Sequence, residues 1–193
     1  EYGKMVNGEK WLKNGMQAKY TIIPMLNYHK KQRYPISEKP SPNLPNDQSI
    51  NLYPSLCFFE GTQVSIGRGT DFPFQVFGSP WLKNHPFKFT PKPNFGAKDP
   101  FLNGKICNGE DLRNYPEIKE KLDLSFVINA YKNFDKKSQE FFLKNLWFDT
   151  LAGTDELRKQ IISGKSEEEI KNSWKQDLQN FEKIRTKYRI YQD

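Results

Sequence analysis

Between Cys57 and Phe74 the chain reads CFFEGTQVSIGRGTDFPF. Here Glu60, Thr62, Ser65, Arg68 and Thr70 are interleaved with Gly61, Gly67 and Gly69. Carboxylate, hydroxyl and guanidinium groups on a Gly-rich backbone suit a polar ligand with hydroxyls and a carboxylate. Arginine offers a planar fork for a carboxylate, and glycine lets backbone N–H groups approach a ligand closely. A second reading is that Glu60 and Arg68 pair with each other and pin the loop. The residues alone support both. Phenylalanines bound the segment on either side, which anchors it to a core.

Other chemistries fail on spacing. A phosphate loop needs GxxxxGK[ST], but Gly61 and Gly67 are one residue too far apart and Arg68 stands where lysine is required. There is no GxGxxG order for a dinucleotide and no GxSxG nucleophile elbow. His29 and His85 fall in unrelated loops and read as surface residues, neither ligand nor base. Cys57 and Cys107 fit no zinc or redox CxxC pattern. No cofactor and no metal are therefore expected.

The bulk composition narrows the class further. Aromatic residues make up 15% of the 193-residue chain, so the core is expected to be built from large rings, and the composition argues against disorder. The length suits a single domain spanning 1–193. The net charge of +7 reads as a lysine-rich solvated surface or as attraction to an anionic partner. The basic residues are scattered, with HKKQR at 29–33 the densest run, and no nucleic-acid motif is present. No stretch approaches the roughly 18 apolar residues of a membrane span.

The elements that must position the Gly-rich segment are legible in part. Tyr2, Met5 and Val6 share a helical face that Gly15 would end. That helix begins without a cap and reads as continuing from a preceding segment. AKYTIIPML reads as a strand. Residues 30–50, with four prolines, form a long loop. Asn46 or Asp47 caps a helix carrying Ile50, Leu52 and Tyr53, interrupted near Pro54. FQVFGSPW and FKFTPKPNFG each supply a short strand, and a second Pro-rich loop runs to about Gly109.

The last third is helical. Leu124, Val127, Ile128 and Tyr131 repeat at helical spacing. TDELRKQIISG opens on a Thr or Asp cap and stops at Gly164. Ser166 and Glu169 form a capping box. Ile170, Trp174, Leu178, Phe181, Ile184 and Tyr188 form a stripe read as core packing. The expected class is α+β: a small mixed sheet, long Pro-rich loops, and helices concentrated in the C-terminal third.

Four segments then carry a resemblance. PSPNLP, YPSLCFFEGTQVSIGRGTDFPFQVFGSPW, FTPKPNFGAKDPFLNGKICNG and FDTLAGTDELR resemble, in that order, the C-terminal part of the NamZ-like exo-β-N-acetylmuramidases, formerly a domain-of-unknown-function family. The likeness covers nearly the whole chain. It implies a bacterial, periplasmic or secreted cell-wall hydrolase that releases N-acetylmuramic acid from the non-reducing ends of peptidoglycan fragments. It also implies a Rossmann-like N-terminal domain in cis with the catalytic carboxylate chemistry, leaving this chain as one wall of the cleft and inactive alone.

In that setting Arg68 is a clamp for the lactyl carboxylate. Thr62, Ser65, Thr70 and the amides of Gly61, Gly67 and Gly69 hold ring hydroxyls or the acetamido group. Glu60 positions the sugar or a water, and Asn43 faces the cleft. An extracytoplasmic setting would also allow a Cys57–Cys107 disulfide. The competing expectation is a non-catalytic carbohydrate- or partner-binding module.

Overall fold

The computed structural model describes residues 1–32, 34–116 and 121–191. The chain divides into two compact units, Glu1–Tyr34 with Lys171–Asp193, and Pro35–Ile170. The α+β class holds. Among the described residues seven α-helices accompany one three-stranded sheet, and both strand pairings are antiparallel, which refines the mixed sheet expected.

The Pro35–Ile170 unit carries the Gly-rich segment. Its first helix, α2 (Asp47–Leu56), opens on a reciprocal cap. The Asn46 side chain accepts from Ser49 N at 2.9 Å, and Ser49 Oγ accepts from Asn46 N at 3.3 Å. Pro54 does not interrupt it, contrary to expectation. It falls in the last turn, and Leu52 and Leu56, one turn apart and fully buried, hold the helix down. The chain then tightens into a 3-10 turn, Cys57–Gly61.

Strands β1 (Val76–Ser79), β2 (Phe87–Phe89) and β3 (Cys107–Asp111) follow, in the spatial order β1-β3-β2. Phe77 sits opposite Glu110, and Gly109 faces both Gly78 and Phe87. The central strand β3 lies where the sequence reads as loop. CNGED has no β-branched or aromatic residue, so the pairing, with buried Cys107 and Gly109 facing inward, overrides weak propensity.

Helices α3 (Ser125–Asn133), α4 (Trp147–Ala152) and α5 (Glu156–Ile162) follow in this unit. The cap of α5 comes from Thr154, whose Oγ1 accepts from Glu156 N at 3.2 Å. Gly164 follows the helix at φ +82. The α4 helix went unrecognised because six residues are too few to show a period. Helix α6 (Glu167–Ser173) has the expected box, with Ser166 N donating to Glu169 at 2.7 Å and Glu169 N to Ser166 Oγ at 3.2 Å.

The core is aromatic, as composition demands. Phe59 stacks on Phe77 with centroids 4.8 Å apart, and Phe77 meets the edge of Phe126. Phe148 contacts Phe58 and Phe142. Each such pair contributes about 0.5–1.5 kcal/mol beyond the area it buries. Cys57 and Cys107 are separate thiols, so the bridge considered for an oxidising compartment is not formed. Burial pushes them up to about 11 and about 12, with the Glu60 charge adding to the rise at Cys57.

In the other unit, α1 (Tyr2–Gly8) ends earlier than Gly15. Lys10 takes the left-handed position at φ 57. Trp11 N donates to Val6 O at 3.0 Å and Lys10 N to Asn7 O at 3.1 Å, which is a Schellman closure on a lysine. Residues 18–26 form no strand. Pro24 lacks a donor, no described strand pairs with them, and Ile23 and Leu26 are almost fully exposed.

The apolar stripe of the C-terminal third is likewise not one core face. Ile170 is fully buried, but α7 (Lys175–Thr186) buries no residue, and Leu178 is 57% exposed.

Glu1 accepts from Ile190 N at 2.9 Å, Tyr191 N at 3.2 Å and Lys30 Nζ at 3.1 Å. The Ile190 backbone bond leads in lowering its carboxyl from 4.5 to about 2. A depressed folded value contributes stability present above the unfolded value and lost as pH falls through the folded one. Acid unfolding of this unit should therefore carry a component between pH 4.5 and 2 that Glu1→Gln removes; an identical acid profile in the variant would refute the tie. In the larger unit, Gly69 has φ +80, and a β-carbon there would lie 2.6 Å from the Pro100 ring and 2.7 Å from Lys92 O. Gly69→Ala should cost about 1–3 kcal/mol, read as a lower urea midpoint at constant slope.

Candidate functional site

The Gly-rich segment is a tight turn bound on two sides. On one side it extends the sheet. Ser65 N donates to Gly78 O at 2.8 Å and Gly78 N to Ser65 O at 2.9 Å, fixing the turn to β1. On the other side Thr62 bridges Phe142. Gln63 N donates to Phe141 O at 2.8 Å, and Leu143 N to Gly61 O at 3.0 Å. Inside the turn, Phe74 N donates to Ile66 O at 2.8 Å. Gly67 and Gly69 both adopt positive φ, +77 and +80, which their β-carbon-free backbones take without the strain other residues meet.

This architecture decides what each side chain does. Thr62 and Ser65 are buried. Thr62 Oγ1 donates to Phe59 O at 2.8 Å and accepts from Val64 N at 3.2 Å; Ser65 Oγ accepts from Gly67 N at 3.3 Å. Thr70 Oγ1 donates to Gly67 O at 2.7 Å and accepts from Phe72 N at 3.0 Å. These hydroxyls close the turn upon itself, the use small polar residues commonly find in loops. Asn43 donates from Nδ2 to Gly96 O at 2.8 Å and tethers the first Pro-rich loop to the second.

Glu60 and Arg68 do form the ion pair that the residues allowed, with Arg68 Nη2 donating to Glu60 Oε1 at 2.7 Å. Both side chains remain part-exposed, 38% for Arg68 and 25% for Glu60. The guanidinium carbon also lies 5.2 Å from the Phe74 ring centroid, a cation–π distance. Glutamate and aromatic ring together hold the fork in one orientation while leaving part of it facing solvent.

Beside this pair lies a cavity of about 230 Å³. Glu60, Thr62, Ser65 and Arg68 line it, with Phe59, Val64, Ile66, Leu143 and Phe101 supplying apolar surface. Asn43, Thr70 and the three glycines of the turn are not among its lining residues. The sequence reading missed Phe101, which is 45% exposed and contributes an aromatic ring to the cavity. The available signal was a large ring placed among Pro, Asp and Asn in AKDPFLNG, where no packing period explains it.

His85 does not lie at the surface, where the sequence puts it. Its side chain is only 8% exposed, and Nδ1 lies 3.3 Å from Glu110 Oε1. The surface reading failed because the partner carboxylate sits on β3, a strand not recognised from sequence. Burial pushes the Glu110 carboxyl up, with His85 acting in the opposite direction. His29 is exposed as expected.

The architecture and the site together define an α+β domain whose glycine-rich turn holds an arginine–glutamate pair beside a largely apolar cavity. Residues 51–191 match the family described as exo-beta-N-acetylmuramidase NamZ, C-terminal, and the chain belongs to that family. It is 32% identical over 194 residues to the peptidoglycan beta-N-acetylmuramidase NamZ of Bacillus subtilis (strain 168), an alignment covering 91% of this chain and 46% of that protein.

A solved DUF1343 family protein of Bacteroides fragilis NCTC 9343 superposes with a TM-score of 0.91 at 44% identity, over 100% of this chain and 54% of that one. A second DUF1343 protein of the same organism shares the fold, with a TM-score of 0.70 at 17% identity over 99% of this chain and 55% of that one. The chain thus spans about half the length of these relatives.

The buried hydroxyls give a direct check on their role. Thr62→Val keeps the shape but leaves Val64 N–H without its acceptor, and should cost about 1–3 kcal/mol. Urea denaturation reads this. An unchanged midpoint would mean that the hydroxyl serves only a ligand.

Proposed function

We propose that this chain is the C-terminal part of a peptidoglycan-degrading exo-β-N-acetylmuramidase and contributes one wall of the cleft that receives a terminal N-acetylmuramic acid. The observation that carries this is the part-exposed Arg68 fork, held by Glu60 at 2.7 Å beside an apolar cavity lined by Phe101. N-acetylmuramic acid bears a lactyl carboxylate on a ring with an apolar C–H face. Arg68 has N–H donors beyond the one given to Glu60 and can take that carboxylate in charge-assisted hydrogen bonds. The ring face lies against Phe101.

Glu60 is then a positioning residue, setting the angle of the Arg68 fork. Thr62, Ser65 and Thr70 set the turn on which Arg68 rides. A Rossmann-like domain in cis supplies the reacting carboxylate, and the enzyme works in the periplasm or outside the cell on peptidoglycan fragments.

A second reading, a non-catalytic saccharide-binding module, is favoured by one observation. Glu60 is the one carboxylate lining the cavity among the described residues, whereas glycoside hydrolysis ordinarily uses two, about 5–9.5 Å apart. Both readings place muramic acid at Arg68 and differ in whether cleavage requires another domain.

The test is Arg68→Lys in the intact protein. Lysine keeps the charge and loses the planar fork. Turnover or binding of muramic acid glycosides should fall about tenfold or more, while that of glucosamine glycosides, which lack the lactyl group, holds within about twofold, the scale of one charge-assisted hydrogen bond. Equal losses on both would assign Arg68 to pinning the loop alone.

A further inference from the structure

Leu143 has a depression on each side. It lines the cavity at Glu60 and Arg68, and it also lines a larger groove of about 390 Å³. Phe142, Leu146 and Ile162 give that groove its apolar surface, and Lys136 and Lys144 also line it. A third depression, about 370 Å³, shares Lys136, Glu140 and Lys144 with the groove and adds Lys137, so three lysines stand against the one Glu140 carboxylate. Apolar and cationic surface therefore adjoin immediately beyond the Arg68 cavity.

The groups of this groove differ in what they are free to do. Arg158 is committed to Asp149 through two hydrogen bonds of 2.8 Å and braces α4 against α5. Lys144 is not committed. Its side chain is 88% exposed and its ion-pair partner, Glu140, stands 3.9 Å away, a surface pair worth about 0–1 kcal/mol. Lys136 lies 4.3 Å from the Tyr131 ring centroid and donates to Tyr131 O at 2.6 Å, which sets its ammonium at the groove while using one of three donors. Leu146 and Ile162 are each about half exposed, an apolar surface beside two available cations.

We propose that the saccharide site extends across Leu143 into this groove, which forms a second subsite for the next carboxylate-bearing sugar of an anionic glycan. The proposal rests on the reading of Arg68 as a carboxylate clamp. A peptide-free chain in which alternate sugars carry lactyl ethers is a regular polyanion with an apolar face on each ring. Arg68 takes the terminal carboxylate. Leu143 and Phe142 carry the intervening ring, and Lys136 and Lys144 take the following carboxylate, with Lys144 swinging away from Glu140. The ligand class is thus an acidic oligosaccharide of at least three or four sugars.

The experiment is calorimetric binding to the intact protein of peptide-free, muramic-acid-terminated oligosaccharides of two, four and six sugars, made with uncleavable thioglycosidic linkages. The wild type should bind the four-sugar ligand about tenfold more tightly than the two-sugar ligand, the scale of one charge-assisted hydrogen bond. Lys136→Ala combined with Lys144→Ala should abolish that gain and leave the two-sugar affinity within about twofold. Reducing the carboxylates of the four-sugar ligand to alcohols should abolish the gain in the wild type as well.

Affinity independent of length, or an equal loss at every length in the double variant, overturns the second subsite. So does equal competition by polyglutamate, which would reduce the groove to unspecific charge. Two-sugar binding that Arg68→Lys leaves untouched overturns instead the clamp beneath the proposal.

Discussion

The architecture of the larger unit turns on how closely two backbone segments meet at Gly61. A β-carbon there would lie 2.4 Å from both N and Cα of Phe148. Without one, the 3-10 turn that ends α2 rests directly on the first turn of α4. That approach lets Phe58 reach Phe148 and brings Leu143 N to within 3.0 Å of Gly61 O. The segment 141–143 is thereby laced along the glycine-rich turn, and both depressions beside Leu143 exist because of it. A side chain at this position would separate the segments by more than a protein interior accommodates without rearrangement.

From that contact the rest follows in layers. Phe59, next to the turn, stacks on Phe77 of β1, so the turn and the sheet share one aromatic core. The turn is then closed by its own hydroxyls and by the Ser65–Gly78 bridge. Only after these constraints are met does the Glu60–Arg68 pair stand at the surface in a fixed orientation. Rigidity at Arg68 is therefore a consequence of burial at Thr62 and Ser65, and a carboxylate ligand would meet a fork whose ordering cost is already met in folding.

The two units differ in how they are held. The larger one is sustained by buried rings. The smaller one relies on polar ties, such as Glu1 on the 190–191 backbone and Tyr188 on Glu9 at 2.7 Å. Much of its apolar surface, including Trp11, Ile23, Met25 and Leu178, remains exposed. That is why the periodic stripe from Ile170 to Tyr188 misled: period alone says that a helix is amphipathic, not that something covers its apolar face.

The sequence by itself determined the aromatic core, the Asn46 cap, strands β1 and β2, the Ser166–Glu169 box and the motif that places Glu60 beside Arg68. Each is encoded within a few residues by local sterics, capping chemistry or a distinctive spacing. Tertiary structure alone decided the rest. Strand β3 forms from residues of low strand propensity because β1 and β2 offer their edges. Thr62 and Ser65 are buried because Phe142 and Gly78 clamp the turn on its two sides, although the bonds their hydroxyls make are local. His85 finds Glu110 through that unrecognised strand, and Phe101 joins the cavity from 33 positions beyond Arg68. All four depend on contacts between residues far apart along the chain, and no local pattern records them.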